Sequence, residues 1–507
     1  MPRSRTFSLL APTAILCTAL TLILAALPAK LTAAQLTGQA MTPPRLLDGR
    51  LQADPLRPLM TPAPARKPSD RNQAPVPELN DEDLKANLAL TEHILNQAML
   101  HEDWSTLQRI MRFYPSMSGI DVVLRDYVQG ALYRHHGQYA KATSLYRQLI
   151  TQHPDLDYVR LELGLMLMEN KAWREADQQF AIVQRQALDP DAQHDVTMYR
   201  YMMQREQQWQ FQAGAGLAHN NNINAANKNA FLRLPIAGPE GSTFWLPFAK
   251  NPDTLPKAAW GLKYTASAQR EQNLGGNHFY ALAVEGDGVN YRHHNAFSDQ
   301  SITLRGGYKY QDVNTWFAAT PQLGKAWVGG KPYRHSHGLG IEAGYRPDMP
   351  WQFMGSFLWL TRDYDDPDYG AYDGSLRVYS LAAMRAFSPQ LMVYGRAGMQ
   401  NESARSGEYA SRFPWLEVGA SSTLGNVVGT RLSLKYGHRY YKKPYALFLY
   451  TQRRDREIEL NATLWKPGLS LYGFQPRLYA SYSRHHSNLP MYARSQTEVA
   501  LMFEKRL

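Results

Sequence analysis

The run Arg431-Leu432-Ser433-Leu434-Lys435-Tyr436 puts an apolar side chain at every second position and a polar or charged one between. The beat returns at Glu457-Ile458-Glu459-Leu460 and at Leu416-Glu417-Val418, with Ala420 and Ser421 beyond. A period of two belongs to a strand, because successive side chains leave opposite faces; a helix needs a period near 3.6. Charges in mid-strand opposite an unbroken apolar face are wrong for a sandwich core. They suit a barrel whose outside meets lipid and whose inside meets water.

Reading outward, the texture holds from Trp209 to the last residue. These 299 residues carry 45 of the 58 aromatics and 29 of the 35 glycines. The pattern predicts about 14 strands of roughly ten residues each. They start near residues 209, 258, 277, 300, 314, 334, 350, 374, 390, 412, 428, 455, 473 and 494. Connections alternate in length. Gln311–Asn314, Pro347–Pro350, Ser388–Gln390 and Gly425–Gly429 are tight, while His219–Pro256, Asp363–Gly374, Asn401–Arg412, His438–Asp455 and Arg484–Arg494 are long and polar. Outer-membrane barrels pair short periplasmic turns with longer outward loops. Val499, Leu501, Phe503 and Leu507 share one face of a closing strand, interrupted by Lys505. A large soluble β-domain is the competing architecture.

Upstream, residues 81–205 read as helical and repeat themselves. Gly130 returns as Gly164, Tyr139 as Trp173, Ala142 as Ala176 and Tyr146 as Phe180, each 34 residues on. Period and residue types are those of a tetratricopeptide helix pair. Asp126 and Arg160 stand where a Trp is typical, and Trp104–Pro115 is expected to add a degenerate cap. Two units alone are too few for a stable solenoid, which needs about three. Residues 35–80 hold nine prolines, an extended Pro-rich tether. Residues 1–34 open with Arg3 and Arg5, continue through an apolar run and end at Thr32-Ala33-Ala34, a signal peptide expected to be cut after Ala34. An uncleaved anchor is the alternative.

Fifty-five Lys and Arg against 44 Asp and Glu leave +11. That excess calls for an anionic neighbour. Lys442, Lys443, Arg453 and Arg454 lie in expected outer loops, suited to lipopolysaccharide phosphates; no nucleic-acid-binding motif is present. Mean hydropathy of −0.45 excludes a multi-helix transporter, and a single cysteine excludes disulfide frameworks and Cys-based metal sites. No phosphate loop, nucleophile elbow or H-E-x-x-H helix occurs, so neither a cofactor nor an enzyme is expected. The pairs His293-His294, His335-x-His337 and His485-His486 map to outward loops, where metal is conceivable but under-liganded. The aspartates of Asp363–Asp373 read as a solvated turn sooner than a calcium loop.

Signal, tether, short repeat domain and terminal barrel together resemble the Slam family, the surface lipoprotein assembly modulators. The local echo is Asn220-Asn221-Asn222-Ile223-Asn224 after the first strand, similar to the Asn-rich signature that opens the Slam barrel; an ordinary Asx-turn cluster is the plainer reading. The resemblance implies a fold of α plus membrane β: a periplasmic N-terminal α-helical tetratricopeptide-like domain, then a closed outer-membrane β-barrel of antiparallel strands. It implies a translocon moving surface lipoproteins, or soluble haem-binding proteins, with a periplasmic chaperone and the barrel-assembly machinery as partners. Arg396, Glu417, Arg431, Lys435, Glu457 and Glu459 are then expected to line the lumen. Tyr127, Arg134, Tyr158, Leu165 and Met168 are expected at groove-facing repeat positions, with plain helix packing the competing role. An exopolysaccharide-export porin and a barrel hydrolase are the rival functions; the former calls for lumen aromatics, whereas Trp260, Tyr264, Tyr308 and Tyr436 read as outward.

Overall fold

A computed structural model describes residues 80–186, 190–237, 242–347, 350–424, 427–445 and 451–506. The signal segment, nearly all of the tether and Leu507 lie outside the described residues.

Helix α1 (Asp81–Ala86) leads into three antiparallel pairs. These are α2 (Leu88–Leu100) with α3 (Trp104–Ile110), α4 (Val122–His135) with α5 (Tyr139–Gln152), and α6 (Asp157–Glu169) with α7 (Trp173–Val183); α8 (Pro190–Glu206) follows. The repeat geometry explains its small residues. A Cβ on Gly130 would sit 2.0 Å from Tyr146 Cε1, and one on Gly164 would sit 2.6 Å from Phe180 Cε1. Each aromatic of the second helix therefore rests on the backbone of the first. The turn inside each pair passes through positive φ, at Glu102 (53°), Gly137 (71°) and Lys171 (67°). The segment expected only to cap the solenoid thus has the same turn as the two clear units.

From β1 (Gln210–Asn220), fourteen antiparallel strands close into one barrel. Beyond the first loop they run β4 (Ala259–Gly275), β5 (His278–Tyr291), β6 (Asp299–Gln311), β7 (Thr315–Val328), β8 (Lys331–Tyr345) and β9 (Trp351–Tyr364). The circuit continues with β10 (Gly374–Ser388), β11 (Leu391–Glu402), β12 (Ser411–Leu424), β13 (Val428–Tyr445), β14 (Thr451–Trp465), β15 (Gln475–Ser487) and β16 (Arg494–Arg506). The ring closes where Gln212–Asn220 pairs with Glu498–Arg506. Two further strands, β2 (Phe231–Ala237) and β3 (Thr243–Ala249), form a separate hairpin within the first loop.

The exterior is apolar. Leu217, Leu304, Leu323, Leu381, Leu416 and Leu432 are exposed along its middle. Aromatics flank them toward both rims, Trp351, Phe353 and Phe387 beside the helical domain and Trp260, Trp359 and Tyr440 at the far end. An aliphatic band between two aromatic girdles is the lipid-facing surface of an outer-membrane barrel, and closure leaves no strand edge unpaired in hydrocarbon.

Two expectations need correction. His438–Asp455 is mostly strand, because β13 and β14 extend far past the membrane band. The alternation of loop lengths also breaks twice: Gly329-Gly330 (φ 56° and 78°) turns β7 into β8 in two residues at the far rim, while Lys466–Phe474 is a long connection at the near one.

Candidate conduit and its charged lining

The six lumen candidates all stand on the inward face, and pairing makes most of them one structure. Arg396 lies opposite Glu417, Glu417 opposite Lys435, and Lys435 opposite Glu459. Four charges of alternating sign thus form a row around β11–β14. Arg396 donates to Glu417 at 2.6 Å, and Tyr394 donates to the other carboxylate oxygen at 3.2 Å. Lys435 sits over the Trp415 and Phe413 rings at 5.0 and 5.7 Å. Arg431 lies two repeats of the pleat below, and Glu457 one above, where it accepts from Arg439 at 2.6 Å. Deeper toward the far rim come charges with no part in the sequence expectations: Arg439 bridges Glu457 and Glu402, Glu402 accepts from Arg362, and Arg453 pairs with Asp455. Arg453, assigned to an outer loop by sequence, is instead buried in the lumen against the Tyr492 ring at 3.7 Å. The misplacement follows from the unexpected length of β14.

The lumen is therefore graded. Arg431, Lys435 and Glu459 are half-buried, whereas Arg439, Tyr441, Arg453 and Asp455 are buried. What covers them is a plug. The connection after β9 carries a 3-10 turn, Pro367–Tyr372, and that after β15 carries another, Pro490–Tyr492. Both fold inward, so that Tyr369, Tyr372, Leu489, Met491 and Tyr492 form one apolar core with wall residues such as Tyr333 and Tyr441. Tyr372 packs on Tyr409 with centroids 4.1 Å apart.

The Asn-rich segment completes this end. Asn220, Asn222, Asn224 and Asn227 are each at most 5% exposed, which for an amide requires that its hydrogen bonds be met internally. Asn222 donates to Ser495 O and Ala226 O, both at 2.9 Å, and accepts from Ala226 N. Asn224 accepts from Lys257 N and donates to Leu255 O. Asn227 donates to Pro490 O at 2.6 Å. Asn221, on the outside, accepts from Thr497 N at 2.8 Å. Alternate amides thus fasten the first loop to β16 and to the plug, across the seam where the barrel closes. The Asx-turn reading covers only part of this, the bond from Asn222 N to Asn220 Oδ1.

In the helical domain, Arg134 ion-pairs with Glu162 at 2.8 Å and Glu169 at 2.5 Å. Burial pushes the Glu162 carboxyl up, with Arg134 pulling the other way. Burial likewise raises the Tyr127 hydroxyl. Tyr127 meets Tyr158 edge-on at 5.0 Å, and Tyr158 is exposed. Leu165 is half-buried against the repeat core. Met168 is 7% exposed inside that core, so it is no groove residue; its side chain fills the space between α6 and α7.

The two domains meet at the near rim. Asn273 accepts from Arg174 N at 3.1 Å and donates to Lys171 O at 3.4 Å. Asn277 donates to Asn170 O, and Trp173 packs edge-on against Phe279 at 5.4 Å. The turn of the third helix pair is thereby seated on the β4–β5 turn. No sequence signal marked these asparagines, since turn asparagines are common.

The histidine pairs divide. His335 and His337 lie in β8 and His485 and His486 in β15, not in loops; only His293-His294 lies between strands. Among the described residues no group of three His, Cys, Asp or Glu is placed to hold a metal. The aspartates after β9 serve structure: Asp365 pairs with Lys325 at 2.8 Å, and Asp373 pairs with Arg405 at 2.8 Å.

Comparison with known proteins places this arrangement. The family model for the surface lipoprotein assembly modifier matches residues 209–507, and the model for its N-terminal tetratricopeptide repeats matches residues 77–180. Surface lipoprotein assembly modifier 1 of Neisseria meningitidis is 24% identical, over 83% of this chain and 85% of its own. The hemophilin secretion modulator of Acinetobacter baumannii is 23% identical, over 81% and 84%. Among solved structures, a Pseudomonas aeruginosa FadL homologue matches with a TM-score of 0.34 and 11% identity, covering 59% of this chain and 89% of that one. With both domains matched in order and the barrel matched from its first strand to its last residue, the chain belongs to the surface lipoprotein assembly modifier family.

Proposed function

We propose that this protein carries a surface lipoprotein, or a soluble haem-binding protein, from the periplasm to the cell surface, as a conduit without catalytic chemistry. The carrying observation is the graded lumen: charged and half-exposed beyond the rim where the repeat domain is seated, and stopped at the other by a core made of loops. Loops can be displaced where a barrel wall cannot. The repeat domain would stand in the periplasm and receive cargo, or a chaperone carrying it, on a surface that includes Tyr127, Tyr158 and Leu165. A pore of about fourteen strands admits an extended segment or hairpin, not a folded domain. Folding outside would then draw the chain through. The barrel itself depends on the barrel-assembly machinery for insertion.

The polysaccharide-porin reading loses ground. Lumen aromatics do exist, contrary to the outward bias of the sequence, but Trp415 lies under Arg396 and Lys435, and Phe413 under Lys435 and Arg439. Those faces are already taken by cations and offer no open platform for sugar rings.

The test is co-expression with a candidate cargo, scoring protease accessibility of that cargo on intact cells. Display should be lost on deleting residues 209–507 and on replacing the barrel alone. Unchanged display without the barrel removes the proposal for that cargo.

A further inference from the structure

The outer wall carries a band of positive charge without matching carboxylates on one side of its far rim. On β10–β14 the register puts Arg377, Asn401, Arg412, Tyr440 and Arg454 in a single row on the lipid-facing side, one residue per strand. The row spans about 20 Å at the usual interstrand spacing. Just below it Arg456 lies between His438 and His486, and Arg484 lies opposite Ile458. Lys442 continues β13 above the row. These six cations are all exposed. None of them has an ion-pair partner among the described residues. No Asp or Glu occupies an outward position anywhere on β10–β15. The adjoining wall of β7–β9 differs. There the outward Lys325 is matched by Asp365 at 2.8 Å, and His335 stands between Asp363 and Asp365.

Position matters as much as charge. The row lies directly above the aliphatic band, level with Tyr440 and beyond Leu416, Leu434 and Ile458. That is the depth at which lipid headgroups meet a barrel wall. Planar guanidinium groups hold phosphate oxygens through paired N–H donors, and a cation array with no carboxylate nearby has no internal competitor for them. Lys443, next to Lys442 on β13 and exposed, adds to the same field.

We propose that the far-rim outer face of β10–β15 is a docking surface for the phosphate groups of lipid headgroups in the adjoining leaflet, which fixes this side of the barrel to a phosphorylated glycolipid. The surface rests on the reading of this rim as the outward one, but binding in detergent does not, so the two can fail separately. The protein purified in detergent would be titrated with bis-phosphorylated lipid A, with the same lipid after removal of its phosphates, and with phosphatidylglycerol. Wild type should hold lipid A at least tenfold more tightly than the dephosphorylated lipid, with inorganic phosphate a poor competitor. R412Q/R454Q/R456Q/R484Q should lose most of that difference, whereas K325Q on the other wall should lose none. Heat-modifiable migration in SDS would show that each variant is a closed barrel. Single variants R454Q and R456Q, each with a severalfold loss, serve if the quadruple variant does not fold. Equal binding by wild type and the neutralised barrel, or free phosphate competing as well as the lipid, overturns the proposal. Maleimide labelling of K443C on intact cells tests the orientation independently.

Discussion

Arg396 and Glu417 show what a buried charge pair does in a barrel wall. Each is nearly devoid of solvent, and Arg396 Nη2 donates to Glu417 at 2.6 Å. Removing one partner leaves an uncompensated charge, which typically costs about 3–5 kcal/mol, whereas replacing both by apolar residues is often close to neutral. Arg396→Met should therefore lower the temperature at which the barrel loses its heat-modifiable migration, and Arg396→Met/Glu417→Leu should restore most of it. Gly164 makes a steric case of the same kind. A methyl group there would enter the Phe180 ring, and overpacking of this sort costs about 1–3 kcal/mol, so Gly164→Ala should lower the helical domain's melting temperature. Glu162 adds a pH dependence. Its folded carboxyl is raised above the unfolded value, so its stabilising share is present below the unfolded pKa and is lost as pH rises through the folded one. Glu162→Gln should melt like wild type in acid and gain on it toward neutral pH, by a modest amount because the side chain is partly exposed. Calorimetry across that range shows the crossing, and a constant offset at all pH values would contradict it. Lumen positions such as Arg396 and Glu417 were legible because period two fixes the face of every residue once one is known. Met168 was not, because repeat numbering does not say how far a long side chain reaches inward.

At the level of elements, strands were easier to read than what lies between them. Every barrel strand begins within a few residues of its expected start, since lipid on one side and water on the other impose the alternation directly. β2 and β3 escaped notice because Pro235 and Pro247 interrupt runs that would otherwise declare themselves, and a hairpin outside the barrel carries no such two-sided constraint. The plug escaped for another reason: its tyrosines lie far apart in the chain, and nothing local says that two loops turn inward to meet. The arrangement makes a direct prediction. Loss of Tyr372 and Tyr492 removes the ring packed on Tyr409 and the ring beneath Arg453. The double alanine variant, reconstituted in planar bilayers, should conduct ions more readily than wild type. Equal conductance from a properly folded variant would mean that something other than these loops obstructs the lumen.

For the whole molecule, the telling feature is that two domains of different physics are joined by a few amide contacts and one aromatic pair, Trp173 on Phe279. The repeat domain is stabilised by packed side chains and the barrel by strand pairing. The polar part of the junction is Asn273, which accepts the Arg174 amide and returns a bond to Lys171, with Asn277 beside it on Asn170. A neutral hydrogen bond of this sort contributes on the order of 1 kcal/mol, so the docking is firm enough to orient the repeats yet weak enough to release them. Asn273→Ala/Asn277→Ala should leave the melting of each domain unchanged while hydrogen exchange at residues 170–176 rises, with α4 as an internal control. If cargo is handed from repeats to lumen, surface display should fall in the same variant even though both parts remain folded. Display at the wild-type level, with exchange at 170–176 demonstrably faster, would mean that the repeats deliver cargo without being seated on the rim.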